Sequence, residues 1–295
     1  MTVTATRLTP HFAARIEGAD VTRPLDDAAW NAIRAALDEH SVLVFHGAPL
    51  EDETQIAFSR RFGALEVTRS MNPAAGTPFA RQSNLDIRTG EVIPPDDRRM
   101  FYQKANMLWH ADSTFKAVSS LASVLSARVV PEEGGATEFA STRAAYDSLS
   151  AAQKAEVEDL IVEHDFGHSR GLVGFKFTPE EAEKFPPVRH RLVRVNPNNG
   201  RKSVMIGVHA KCIVGWPEAK SRALLDDLLA RATRPENTYR HAWKLGDVIL
   251  WSNQAVVHRA TPFDSVRYKR LMQRTTISFG SMEEMQRRNI TDAVA

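Results

Sequence analysis

Short apolar strands separated by turn residues recur through the last third of the chain, and they constrain its fold more than any other feature. The segments 191–195 and 203–207 flank Asn196-Pro-Asn-Asn-Gly200, a sequence typical of a hairpin turn. Further strand-like runs cover 247–251, 256–257 and 271–279. Closely spaced strands of this kind favour a barrel or a sandwich that carries helices on its outside.

The rest of the chain supplies helices and a few more strands. Trp30, Ile33 and Leu37 recur at helical spacing behind an acidic first turn, which predicts a helix over 27–40. The apolar run from Ser41 to Phe45 predicts a buried strand directly after it. Further helices are predicted at 51–62, 142–149, 150–160 and 218–232, and further strands at 121–130 and 137–139. We therefore predict a mainly β fold with flanking helices.

No linker and no internal repeat divides the sequence, so we expect residues 1–295 to form a single domain. Two stretches, 68–104 and 166–187, are instead irregular in pattern, and the first is rich in proline, glycine and polar residues. Long irregular segments in compact proteins are usually functional or partly disordered. We expect a lid near 68–104 and a second loop near 166–187.

Composition excludes several classes of protein and of partner. The sequence has no run of about 18 apolar residues and no secretory signal, so we expect no membrane association. Its one cysteine, Cys212, cannot form an internal disulfide, which favours a cytoplasmic location. The net charge of +2, from 38 basic and 36 acidic residues, gives no general attraction for nucleic acid. Any anionic ligand must therefore be held by a few placed cations.

A histidine and an aspartate stand two positions apart in His110-Ala-Asp112, the one His-x-Asp in the sequence. On an extended segment both side chains point to the same face, so both can reach one cation. His258, just after a buried-looking run, could supply the third ligand of a two-histidine, one-carboxylate site for Fe(II). The alternatives are a metal-free surface pair at His110 and Asp112 and an ordinary core histidine at 258.

Two arginines follow His258 on a segment that reads as a strand. Arg270 and Arg274 are four residues apart and would share one face of that strand. Like charges on an inner face are unfavourable unless each meets an anion. The pair therefore predicts a site with two carboxylates to hold, unless the two arginines simply face solvent.

Four motifs together resemble one family of enzymes. His110-Ala-Asp112, Gly134-Gly-Ala-Thr-Glu-Phe139, His258-Arg-Ala260 and Arg270-x-x-x-Arg274 are similar to the motifs of the taurine dioxygenase and 2,4-dichlorophenoxyacetate dioxygenase family. The likeness covers residues 5–280, and the aryloxyalkanoate-cleaving branch resembles the chain most. It implies a double-stranded β-helix core, that is, a jelly roll of cupin type, and a homodimer or larger homo-oligomer.

The same resemblance assigns roles to individual residues. It implies that His110, Asp112 and His258 bind Fe(II), with 2-oxoglutarate and O2 as cosubstrates. Thr137 and Arg270 would hold the distal carboxylate of 2-oxoglutarate, although Lys269 is an alternative to Arg270. Arg274 would hold the carboxylate of a small anionic substrate, and Asn106 and His209 would line its pocket. His209 could equally make a structural hydrogen bond.

The implied reaction hydroxylates the carbon next to the ether oxygen of an aryloxyalkanoate such as 2,4-dichlorophenoxyacetate. The products would be a phenol, a 2-oxo acid, succinate and CO2. One alternative is the same chemistry on taurine, an alkyl sulfate or another small carboxylate. A second, from a different class, is a barrel-type binding protein without catalysis.

Overall fold

The structure is a computed structural model that describes residues 2–68, 72, 74–86 and 89–288. The strands within these ranges are β1 (Thr4–Arg7), β2 (Ala14–Glu17), β3 (Val42–Phe45), β4 (Ala64–Leu65), β5 (Phe79–Ser83), β6 (Ser120–Val129), β7 (Thr137–Ser141), β8 (Ile161–His164), β9 (Val188–Arg191), β10 (Val193–Val195), β11 (Lys202–Val204), β12 (Ala210–Ile213), β13 (Thr238–His241), β14 (Val248–Ser252), β15 (Val256–Ala260) and β16 (Leu271–Ser278). The α-helices are α1 (Asp27–His40), α2 (Asp52–Arg60), α3 (Arg98–Gln103), α4 (Thr142–Asp147), α5 (Ala151–Val157), α6 (Phe166–Gly171), α7 (Pro179–Ala182), α8 (Glu218–Ala232) and α9 (Met282–Arg287). Short 3-10 helices cover Lys104–Met107 and Pro235–Asn237.

The strands form one large sheet and several small ones. The large sheet has the order β1-β2-β3-β14-β6-β16-β4, and β5 also pairs with β16. Only β2 and β3 run parallel among the described pairs of this sheet. A three-stranded sheet, β13-β7-β15, a second one, β12-β8-β9, and the hairpin β10-β11 complete the described strands. No sheet in the described part of the chain closes into a barrel.

Both faces of the large sheet are buried, which explains why strands such as β3 and β14 have continuous apolar sequences. In β3 and β14, Leu43 and Leu250 face the layer that contains α1 and α2, where Ile33 and Phe58 also pack. The alternate residues, such as Trp251, face the opposite way and pack against Phe139 of β7. The interior between the large sheet and the β13-β7-β15 sheet is therefore apolar, and polar side chains there stand out.

The predicted mainly β architecture with flanking helices and a jelly-roll core is confirmed. α1 and α8 have the predicted bounds, and the predicted hairpin forms from β10 and β11. Within the described ranges, no helix is long and apolar enough to cross a bilayer.

The two stretches expected to be irregular contain regular elements. The region 68–104 includes β5, which is paired with β16, and α3; its positions 69–71, 73, 87 and 88 lie outside the described residues. The region 166–187 includes α6 and α7. Part of the expected lid therefore belongs to the large sheet, because β5 continues its hydrogen bonding.

Candidate active site

Two histidines and an aspartate meet at the side of the β13-β7-β15 sheet. His258 lies in the middle of β15, and His110 pairs with it through an isolated antiparallel bridge. The His110 amide donates to the His258 carbonyl at 3.0 Å, and the His258 amide donates back at 2.7 Å. Asp112 follows two residues later, and one ligand atom from each side chain lies within 4.8 Å of the others. The structure thus brings the three predicted metal ligands together.

Hydrogen bonds determine which atoms face the centre of this cluster. His110 Nδ1 lies 2.8 Å from the Leu108 carbonyl, which can only accept, so Nδ1 carries the proton and Nε2 has a free lone pair. His110 Nε2 is 4.0 Å from Asp112 Oδ1, and His258 Nε2 is 3.9 Å from Asp112 Oδ2. Two imidazole nitrogens and a carboxylate oxygen therefore converge. This donor set fits Fe(II) of the two-histidine, one-carboxylate type.

Burial sets the protonation states that such a site requires. It lowers the pKa of His110 and lowers the pKa of His258 well below its usual value, so both rings are neutral. Burial alone would raise the pKa of Asp112, but the positive charge of Arg274, together with the hydrogen bond from Ser123, opposes it, and this pKa is lowered. Neutral imidazoles and an ionised carboxylate are the forms that bind a metal.

Asn253 supports Asp112 from behind, a role that sequence reasoning missed. Its side-chain oxygen accepts from the Asp112 amide at 3.2 Å and from the Trp251 indole at 2.8 Å. Its amide nitrogen donates to the Ser123 hydroxyl at 2.9 Å, and Ser123 donates to Asp112 Oδ2 at 2.7 Å. The position of Asn253 directly after the β14 strand was visible in the sequence, but its partners come from distant elements.

A cavity of about 190 Å³, here called the deep cavity, opens beside the cluster. Its wall includes His110, His258, Thr137, Arg270 and Arg274. Arg270 is only 6% exposed and has no carboxylate partner in the described ranges. Its side chain donates to carbonyls instead, from Nε to Gly135 at 3.3 Å and from Nη1 to Gln82 at 3.4 Å.

Lys269, the alternative to Arg270, faces the other way. It is exposed, and its ammonium group donates to the Gly90 carbonyl at 3.1 Å. The backbone amide of Arg270 is held by the Asn84 side chain at 2.8 Å, which fixes the register of this segment. Thr137 accepts from the Trp243 indole at 2.9 Å and lines the deep cavity, where its hydroxyl can still donate to a ligand.

The glycine pair before Thr137 makes room for Arg270. Gly135 has a φ of +65°, and a Cβ there would lie 2.9 Å from Pro131 and 3.2 Å from Arg270 Nε. Gly134 has a φ of +75° and would collide with the Pro262 carbonyl at 2.7 Å. Glycine is therefore required at both positions.

Arg274 lies on the inner face of β16 and hydrogen-bonds through Nη1 to Asp112 Oδ1. It lines the deep cavity and also a second, adjoining one of about 110 Å³. Its Nε is buried without a partner among the described residues. Arg274 is therefore next to the metal ligands and open to whatever binds beside them.

The second cavity, here called the aromatic cavity, has rings from two regions of the chain. Phe115 stacks on Phe166 with centroids 3.9 Å apart, and Phe166 packs on Phe185 at 4.9 Å. Two of the predicted substrate residues line it as well, Asn106 and His209. Asn106 donates to the Gln82 side chain at 2.6 Å. His209 is fully buried beside Phe115, and burial lowers its pKa well below the usual value.

Arg170 in the aromatic cavity is a further residue that the sequence did not single out. It is 6% exposed, and its guanidinium lies 4.5 Å from the ring centres of both Tyr102 and Phe166. No single motif surrounds it in the sequence, so no local signal could have identified it.

Comparisons with known proteins extend over nearly the whole chain. Residues 4–276 match the model of the family described as taurine catabolism dioxygenase TauD, TfdA family. The alpha-ketoglutarate-dependent 2,4-dichlorophenoxyacetate dioxygenase of Cupriavidus pinatubonensis is 40% identical over 94% of this chain and 98% of its own length. The (S)-phenoxypropionate/alpha-ketoglutarate-dioxygenase of Sphingobium herbicidovorans is 38% identical over 90% and 92%. The crystal structure of AAD-2 with Mn(II) and N-oxalylglycine superposes with a TM-score of 0.87, at 39% identity, over 95% of this chain and 98% of that one.

Proposed function

Because the chain belongs to the taurine catabolism dioxygenase TauD, TfdA family, we propose that it oxidises aryloxyalkanoates such as 2,4-dichlorophenoxyacetate. The enzyme is an oxidoreductase that depends on Fe(II), 2-oxoglutarate and O2. One oxygen atom of O2 enters succinate as 2-oxoglutarate loses CO2, and the other enters the C–H bond next to the ether oxygen. The resulting hemiacetal breaks at its C–O bond into a phenol and a 2-oxo acid.

His110, Asp112 and His258 would hold the iron, through two Nε2 atoms and one carboxylate. Iron bound there supplies the activation of O2 that an unassisted side chain cannot perform. The protein's contribution is to hold the three ligands in position, through the His110–His258 backbone pair and the Asn253 and Ser123 hydrogen bonds to Asp112.

Arg270 and Thr137 would bind the distal carboxylate of 2-oxoglutarate in the deep cavity. The observation that carries the proposal is the buried guanidinium of Arg270, which faces this cavity beside the metal ligands and lacks an anion. Burial lowers its pKa to about 10, as expected of a cation without a counterion. A carboxylate bound there would restore the missing charge partner and orient the cosubstrate before reaction.

Arg274, Asn106 and His209 would bind the primary substrate. Arg274 lies between Asp112 and the aromatic cavity, so a carboxylate on it would keep the neighbouring carbon close to the metal ligands. The stacked rings of Phe115 and Phe166 offer an apolar surface for an aryl group, and neutral His209 does not repel it. With a carboxylate on Arg274, these rings favour an aryl group over taurine, whose ammonium group would lie among them and be repelled by Arg170.

Domain organisation, oligomeric state and cellular location are proposed together with the reaction. We propose that residues 1–295 act as one domain, that the region 68–104 covers the site, and that the enzyme is a cytoplasmic homodimer or larger homo-oligomer. The support is the family resemblance and, for the compartment, the single cysteine, Cys212.

The test is succinate release by the iron-loaded enzyme with a panel of acids. Phenoxyacetate, 2,4-dichlorophenoxyacetate and both enantiomers of a phenoxypropionate should each stimulate succinate release and yield a matching phenol. Taurine and hexyl sulfate serve as comparisons that carry an anion without an aryl ether. Turnover of either of these, with none of the aryloxy acids, would contradict the proposed substrate class, and no turnover of any acid would favour a binding protein.

A further inference from the structure

A third cavity, as large as the deep cavity at about 190 Å³, shares no lining residue with the two cavities at the metal ligands. It lies between α1, the β10-β11 hairpin and the turn after β14, and we call it the arginine cavity. Six arginines line it: Arg34, Arg61, Arg143, Arg194, Arg201 and Arg288. Asp38 is the one carboxylate among its described lining residues. Arg61, Arg201 and Arg288 have carboxylate partners that do not line the cavity, namely Asp27, Glu39 and Glu284. The cations that need an explanation are therefore the buried ones, Arg194 and Arg143, because nothing in the proposed reaction uses them.

Arg194 is the most constrained of these cations. It is 2% exposed, and no carboxylate lies within ion-pair distance of it in the part of the chain that the structure describes. Its Nη1 donates to the side-chain oxygen of Gln254, its Nη2 lies against the sulfur of Met205, and its Nε has no partner there. Burial lowers the pKa of Arg194 to about 9, and no nearby charge opposes this. A buried guanidinium with only neutral partners is unfavourable unless an anion joins it.

Asp38 does not supply that anion, because its carboxylate makes no ion pair with Arg194 and instead accepts from neutral side chains. Its two oxygens accept from the side-chain amides of Asn196 at 2.9 Å and Asn198 at 2.7 Å. Its backbone carbonyl accepts from Arg143, a second buried arginine that is 3% exposed. Arg143 therefore has the carbonyls at the end of α1 as partners, while its Nε remains without one among the described residues.

Arg194 repeats the pattern that Arg270 shows in the deep cavity. Both arginines are buried, both line a cavity of about 190 Å³, and both have only neutral acceptors. For Arg270 the missing partner is a carboxylate of the cosubstrate. The buried guanidinium of Arg194 needs an anionic partner for the same reason, although no cosubstrate is expected there.

We propose that the arginine cavity is a second ligand site that binds a small oxyanion, a carboxylate or a phosphate, on Arg194 and Arg143. Phe62 and Phe279 leave an apolar wall for a short organic substituent on the anion. This inference does not depend on the proposed substrate of the metal site.

Ser252 provides a variant that tests the site without removing either buried arginine. It is half-buried at the end of β14 and lines the arginine cavity. In Ser252→Asp the protein would carry its own carboxylate into the cavity, whereas Ser252→Asn is a matched control of the same size without the charge. We expect the aspartate variant to unfold at a higher temperature than the parent when no oxyanion is added.

The measurement is the unfolding temperature of protein saturated with Mn(II) and 2-oxoglutarate, titrated with inorganic phosphate or with acetate against chloride at constant ionic strength. The parent and Ser252→Asn should show a saturable rise of about 2 °C or more with at least one oxyanion. Ser252→Asp should show at least a tenfold weaker response. A response to acetate alone assigns a carboxylate ligand, and a response to phosphate alone assigns a phosphate ligand.

A second variant covers the possibility that a new carboxylate is accommodated elsewhere. Arg194→Met keeps the length of the side chain and should lose the response to oxyanion while remaining folded, as judged by circular dichroism. The proposal is wrong if neither oxyanion gives a saturable response in the parent, or if the response is the same in Ser252→Asp as in Ser252→Asn.

Discussion

At the scale of single residues, Arg270 and Lys269 show how adjacent cations acquire different roles. Arg270 is buried against the deep cavity, whereas Lys269 is exposed and bonds to the Gly90 carbonyl. Replacing Arg270 with methionine should raise the 2-oxoglutarate concentration for half-maximal rate by roughly 30-fold or more, because a buried charge-assisted pair is worth about 2–5 kcal/mol. Lys269→Met is the matched control and should change it less than about threefold. The measurement is the initial rate at varied 2-oxoglutarate concentration. A larger effect of Lys269→Met than of Arg270→Met would mean that Lys269, and not Arg270, binds 2-oxoglutarate.

Asn253 allows a test of how Asp112 is held. Its replacement by alanine removes acceptors for the Asp112 amide and the Trp251 indole and the donor to Ser123. We expect metal affinity to fall on the order of 10-fold to 100-fold, as for other residues that orient a metal ligand. Titration of the metal-free protein with Mn(II) measures this. Unchanged affinity would mean that Ser123 alone is enough to position the carboxylate.

The residues that sequence reasoning identified are those whose spacing carries information. His110 and Asp112 are two apart on an extended segment, and Arg270 and Arg274 are four apart, so both pairs could be predicted to share a face. Asn253, Ser123 and Arg170 could not be found this way. Ser123 on β6 and Asn253 after β14 are 130 residues apart. Arg170 on α6 packs on Tyr102 of α3, and no regular spacing in the sequence connects these partners.

At the scale of secondary-structure elements, the turn before β7 is sensitive to a single added methyl group. Gly135→Ala would place a Cβ against Pro131 and Arg270 at a positive φ. We expect a loss of about 1–3 kcal/mol in the free energy of unfolding and weaker 2-oxoglutarate binding. Gly200→Ala is the control: Gly200 has a similar φ of +69° in the hairpin loop, but no atom lies within 4 Å of its Cβ position.

Comparison of Gly135→Ala with Gly200→Ala distinguishes the effect of steric crowding from the effect of backbone strain. The control variant should lose only about 1 kcal/mol and should bind 2-oxoglutarate like the parent, because it carries the strain without the contact. Urea unfolding and a 2-oxoglutarate titration of both variants are sufficient. Equal losses of stability with intact binding in both would show that Arg270 tolerates the added methyl group.

Elements with a regular pattern of apolar residues can be predicted from the sequence, and elements without such a pattern cannot. α1 has apolar residues at helical spacing, and β3 and β14 are continuous apolar runs buried on both faces. β1, with the sequence Thr-Ala-Thr-Arg, is exposed along its whole length, and β9 carries two arginines and a histidine among four residues. Such strands form because a neighbouring strand offers hydrogen bonds, which local sequence does not reveal.

At the scale of the whole molecule, buried histidines make stability depend on pH. Burial lowers the pKa of His164 well below 6.5 and lowers that of His190 to about 3. In the unfolded chain both rings bind a proton below about pH 6.5, but in the folded protein they do not. The free energy of unfolding should therefore fall as pH drops from about 6.5 towards 3, by roughly 2.7 kcal/mol per pH unit from these two rings.

His164→Leu isolates this effect, because neither ring nitrogen of His164 has a partner in the described ranges. The variant should be at least as stable as the parent at pH 7.5, and its loss of stability between pH 7.5 and 5.5 should be smaller by about 1.4 kcal/mol in total, because the unfolded ring gains its proton across that range. Replacement of His11, which is exposed, should leave the pH dependence of the free energy of unfolding unchanged. Urea unfolding at several pH values between 7.5 and 5.5 measures this difference. An unaltered pH dependence in His164→Leu would contradict the explanation by buried histidines.

The backbone pair between His110 and His258 also has a consequence for how the protein is made. On the ribosome, the segment that carries His258 is synthesised well after the segment that carries His110, and β14 and β15 must then join the earlier strands β3 and β7. A nascent chain therefore has no complete iron-binding set, and contacts so distant in sequence form slowly. Selection between iron and competing cellular metals by this site consequently cannot begin before β15 has joined β7.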